Sequence, residues 1–130
     1  MRDIRARRIA GFGLTSADAS RLTEFYVTAF GARLVSSEYL SGPRFERQIG
    51  VRGGASRHTV TLGDEAVDIL QFDTPGRAYP HPLSPADTAF QHFAIIVRDM
   101  DLALSKLRRT RGWTPISIGG PQRLPQSSGV

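Results

Sequence analysis

The stretch Phe90-Gln91-His92-Phe93-Ala94-Ile95-Ile96-Val97-Arg98-Asp99 is a β-prone apolar run that closes on a helix-capping aspartate. An earlier stretch has the same grammar. Ile9-Ala10-Gly11-Phe12-Gly13-Leu14 leads through Thr15 and Ser16 to Asp18, and Gly11 precedes Asp18 by the same interval that separates His92 from Asp99. After each aspartate comes a helical stripe. Leu22, Phe25, Tyr26, Ala29 and Phe30 share one face in the first, and Met100, Ala103, Leu104 and Leu107 share one in the second. Gly31 and Gly112 stand equally far beyond their aspartates and read as the left-handed stops of the two helices. A constant offset of 81 residues therefore aligns strand, cap, helix and terminating glycine, which predicts two copies of one strand–helix unit.

Working outward, residues 33–39, 44–51, 57–63 and 66–72 are β-rich runs separated by Ser41-Gly42-Pro43, Gly53-Gly54 and Gly63-Asp64, and are expected to be strands of an antiparallel meander. Between Asp73 and Ala89 lie Pro75, Pro80, Pro82 and Pro85, half of the eight prolines, so this stretch is neither helix nor central strand. The expected organisation is a first module over 9–72, a proline-rich linker over 73–89 and a second module over 90–130. The second is shorter than the first by about two strands, so the chain reads as an incomplete duplicate.

The 130 residues include 40% hydrophobic side chains and 13 glycines, a composition that folds without disulfides. There is no cysteine, which excludes a thiolate metal site and a cysteine nucleophile. No apolar run has the length of a membrane span or the layout of an export signal, so the expectation is a cytoplasmic protein without a membrane partner. The formal charge of +5 comes largely from Arg2, Arg5, Arg7 and Arg8 at the N-terminus. No basic recognition helix interleaved with aromatics accompanies it, so nucleic acid is not the expected partner.

These segments resemble the vicinal oxygen chelate superfamily, which includes glyoxalase I, extradiol dioxygenases and the bleomycin- and fosfomycin-resistance proteins. Asp18, Leu22, Glu24-Phe25-Tyr26 and Phe30-Gly31 look like the first-helix pattern of that family. Val67-Asp68-Ile69-Leu70-Gln71-Phe72 looks like its fourth strand, and Gln91 to Met100 like the opening of its second module. The resemblance implies an α+β fold: a βαβββ module and an incomplete second copy in a cupped mixed sheet of the glyoxalase/bleomycin-resistance type. It also implies a divalent metal held by residues of the first and fourth strands. On that pattern His92 and Asp68 are the metal ligands, while Gly11 stands at a ligand position and offers no side chain.

Imidazole and carboxylate suit Zn, Ni, Fe or Mn without choosing among them. Catalytic sites usually combine three protein ligands with water, so with one position lost to Gly11 any metal is expected to be held weakly or not at all. The resemblance thus implies a lactoylglutathione lyase-like or dioxygenase-like protein acting on a small oxygenated substrate. The alternative is a metal-free small-molecule binding protein of the same fold. A homodimer is expected, because a second module short of strands leaves a sheet edge to be covered. His58 in an alternating strand and His81 in the linker are expected to be structural or exposed, the aromatic stripe of the first helix to be core, and no serine sits in a nucleophile motif.

Overall fold

The computed structural model describes residues 4–122, which belong to two compact units with the chain boundary between Arg77 and Ala78, inside the proline-rich stretch. The first unit runs β1 (Phe12–Thr15), α1 (Ala19–Phe30), β2 (Arg33–Leu40), α2 (Pro43–Ile49), β3 (Ala55–Leu62) and β4 (Glu65–Phe72). Its four strands form one mixed sheet in the order β1-β4-β3-β2. β4 pairs parallel with β1 and antiparallel with β3, and β3 pairs antiparallel with β2. This is the expected βαβββ path with one added helix.

Local chemistry sets the ends of α1. The Asp18 carboxylate accepts the Arg21 N–H at 2.9 Å, satisfying a donor that the first turn leaves free. At the other end Gly31 takes φ 68°, where a side chain would be strained, and its N–H and that of Ala32 return to the carbonyls of Val27 and Tyr26. Ala19, Leu22 and Tyr26 of this helix pack on Ala32, Val60, Val67 and Ile69. The largest fully buried side chains are Ile69, Val60 and Val67, so the core is small and lies on one face of the sheet.

Two ties hold the rim of the sheet. Gln71 Oε1 accepts the Ala19 N–H at 2.9 Å, fixing the start of α1 to β4. The Tyr39 hydroxyl donates to Asp73 Oδ2 at 2.5 Å, and the same oxygen accepts the Gly54 N–H at 3.0 Å, joining β2, the start of β3 and the end of β4. Gly54 is obligatory here, because a Cβ would fall on the Tyr39 ring and lie 2.8 Å from the Leu40 carbonyl oxygen.

Three expectations are corrected. Residues 44–51 are not a strand: Pro43 at the first helical position, Phe45, Gln48 and Ile49 at helical spacing and Gly50 at φ 75° make the short helix α2. Residues 90–97 of the second unit have no strand assignment and join no sheet ladder among the described residues, and an apolar run becomes a strand only in a ladder. The helix after them, α3 (Met100–Arg109), is present, and its cap Asp99 accepts the Leu102 N–H at 2.9 Å. It stops before Gly112, because Thr110 turns extended and closes the last turn on Leu107 and Lys106. Among the described residues no helix is long and apolar enough to cross a membrane.

Two predictions follow from this packing. Ile69→Ala removes the largest wholly buried side chain and is expected to cost about 2–5 kcal/mol in urea unfolding. The second concerns alkaline stability. The hydrogen bond to Asp73, followed by desolvation, holds the Tyr39 hydroxyl above its usual range. The neutral phenol is therefore favoured in the fold, and its contribution is whole below the ordinary tyrosine value and lost as pH rises through the raised one. Tyr39→Phe should flatten the alkaline limb of a stability-against-pH curve.

Candidate functional site

Side chains alternate along β4, and the alternation divides the sheet into two working faces. Val67 and Ile69 point to the core under α1, while Ala66, Asp68 and Leu70 line the opposite face. Register carries the division across the sheet. Asp68 lies opposite Thr59 on β3 and Gly13 on β1, and Leu70 lies opposite Arg57, which is itself opposite Glu38 on β2.

Over this second face α2 presents Arg44, Phe45, Gln48 and Ile49, and between helix and sheet lies a cavity of about 650 Å³. That volume suits a small molecule. Its floor carries Gly11, Gly13, Arg57 and Asp68, with Leu40 and Leu70 adding apolar wall. All of these residues belong to the first unit.

The polar groups of the cavity are partly committed and partly free. Thr59 donates its hydroxyl to Asp68 Oδ1 at 2.6 Å, which fixes the half-buried carboxylate and leaves its other oxygen for a further donor. Arg57 pairs through Nη2 with Glu38, yet its Nε is buried with no hydrogen-bond partner. A buried donor left unmet costs about 1–3 kcal/mol. Arg44, exposed in the first turn of α2, has no ion-pair partner among the described residues.

Of the two side chains expected to bind metal, Asp68 is in this cavity. His92 belongs to the second unit, where it is exposed and its ring lies 5.9 Å from that of Phe90. Gly11 precedes β1 and has no space for a ligand: a Cβ there would lie 2.8 Å from the Ala66 carbonyl oxygen. Among the described residues no three of the His, Asp and Glu side chains converge in a way that could hold an ion. The donor set of the first unit therefore does not fit the divalent metal that the resemblance implied.

His58 lies on the other face. Thr23 gives its hydroxyl proton to the Ala19 carbonyl at 2.7 Å, so the 3.1 Å contact with His58 Nδ1 has the imidazole as donor, a structural role. Arg57, Arg44 and the whole of α2 were not among the sequence candidates. The signals for α2 were present in Gly42-Pro43 and Gly50; nothing in the sequence distinguished Arg57 from the other arginines.

A four-stranded sheet with parallel β1 and β4, one face under a helix and the other facing a cavity, defines a βαβββ module. The family model of the glyoxalase/bleomycin resistance protein/dioxygenase superfamily matches residues 8–116, and the chain belongs to that superfamily. Among solved structures, a glyoxalase family protein from Bacillus cereus is similar with a TM-score of 0.66 and 16% identity, over 84% of this chain and 75% of that one. The genomically encoded fosfomycin resistance protein FosX from Listeria monocytogenes is similar with a TM-score of 0.52 and 13% identity, over 81% of this chain and 70% of that one. At such identities the likeness is one of fold. No curated protein matches the sequence.

The two glycines of β1 generate a paired prediction. Gly13 lies beside Asp68, and a Cβ there would meet nothing within 4 Å, whereas a Cβ at Gly11 collides with backbone. Gly13→His is expected to fold and to gain affinity for Zn²⁺ or Ni²⁺ over the parent, read by calorimetry. Gly11→His is expected to lower the unfolding midpoint and gain none.

Proposed function

We propose that this chain is a binding protein for a small oxygenated molecule, which it holds without a metal in the cavity between α2 and the sheet. The observation that carries this reading is the gathering of polar side chains in one cavity, Asp68 with one oxygen left by Thr59, the guanidinium of Arg57, and Arg44 on the wall above. The superfamily to which the chain belongs is named for resistance proteins as well as enzymes, which supports a binding role. The lactoylglutathione lyase-like and dioxygenase-like readings both need a metal as Lewis acid or oxygen activator, and the cavity supplies Asp68 alone toward it.

The test is a screen of the whole chain against the methylglyoxal–glutathione hemithioacetal, catechols, bleomycin and fosfomycin, with calorimetry for binding and product analysis for turnover. Stoichiometric binding of a small oxygenated compound without turnover is expected. Elemental analysis of protein purified without added metal is expected to give well under one equivalent. One equivalent that survives dialysis and is lost in both His92→Ala and Asp68→Ala would replace this reading with the metal-centred one, with those two side chains as ligands.

Self-association belongs to the same proposal. The sheet has edge strands at β1 and β2, and β2 exposes Leu34, Val35 and Tyr39. Sedimentation at micromolar concentration is expected to give a homodimer.

A further inference from the structure

We infer that the ligand of this cavity is bifunctional: an oxyanion of the carboxylate type next to a hydrogen-bond donor, hydroxyl or ammonium, and an apolar arm. The inference rests on the binding reading above and names the chemistry that reading leaves open. Three observations combine. Arg57 is held at one end by Glu38, so its guanidinium is oriented, and its buried Nε–H has no partner. A fixed, planar guanidinium in the cavity lining suits the oxygens of a carboxylate. Arg44 adds a cation free of any ion pair among the described residues.

Asp68 prevents a simple anion from being sufficient. Its carboxylate shares the cavity with Arg57, and Thr59 occupies only one of its oxygens. An oxyanion entering alone would meet the arginines but also a like charge, and the second Asp68 oxygen would lose water without replacement. A donor group on the ligand satisfies that oxygen, and an ammonium also offsets the like charge. In the ladder Arg57 is opposite Leu70 and Thr59 is opposite Asp68, so Arg57 and Asp68 are diagonal neighbours on one face, roughly 7–8 Å apart at the backbone. From that separation the long Arg57 side chain and the short Asp68 carboxylate can address adjacent groups on one small molecule. Phe45, Ile49 and Leu40 provide the apolar wall for a third substituent.

The probes are four compounds of one shape. 3-Phenyllactate and phenylalanine carry anion, donor and apolar arm; 3-phenylpropionate lacks the donor; 3-phenyllactamide lacks the charge. Calorimetry on the whole chain at low salt is expected to show phenyllactate or phenylalanine binding about tenfold or more tightly than each incomplete analogue. The tighter of the two complete ligands identifies the donor as hydroxyl or ammonium. Arg57→Gln should erase the preference for acid over amide, and Asp68→Asn should erase the preference for the donor-bearing acid over phenylpropionate.

Equal binding of amide and acid, or of phenylpropionate and phenyllactate, overturns the inference on the unaltered protein, whatever the variants do. If none of the four binds while a compound of the broader screen does, the bifunctional ligand is refuted and the binding reading stands. If nothing binds in either experiment, both fall.

Discussion

The pairing of β3 with β4 is the constraint on which the rest depends. One ladder, from Ala55↔Phe72 to Leu62↔Glu65, sets which face every side chain of both strands takes. Val60 opposite Val67 supplies the core, and the neighbouring pair Thr59 opposite Asp68 supplies the fixed carboxylate of the cavity. Slipping the register by one residue would expose the core and bury the carboxylate in the same movement. Stability and site are thus two sides of one strand pairing, and α1 reinforces it by bonding Ala19 to Gln71 on β4.

Much of the fold was legible because punctuation in the sequence is local chemistry. Asp18 and Asp99 cap helices through their own carboxylates, and Gly31 ends α1 in the conformation that glycine favours. Those signals need no partner from elsewhere in the chain. The stretch over 90–97 differs for the opposite reason: it is apolar and β-prone, but a strand exists only in a ladder, and among the described residues it joins none. Residues 44–51 failed by weighting. Their β-prone residues are outweighed by the Gly42-Pro43 and Gly50 brackets, which make a short helix rather than two turns.

The site divided in the same manner. Asp68 was visible as a carboxylate in an apolar strand, an expensive placement that asks for a reason. Arg57 was one of sixteen arginines, and only the ladder, by setting Glu38 opposite it and the cavity above it, makes it distinct. The family pattern puts a ligand position at Gly11, which offers no side chain. The approach of Ala66 to Gly11 shows that the backbone has taken that space.

The short helix over the cavity has a further consequence. None of its residues is buried, glycines with positive φ stand at both of its ends, and the Glu46 carboxylate ties it to the Gly53 N–H at 2.8 Å. Its sequence is therefore almost uncoupled from the core, although four of its seven side chains face whatever the cavity holds. Substitutions there can change what is recognised without being filtered by folding. On the proposed reading, α2 is therefore the place where a change of ligand preference costs the sheet beneath it least.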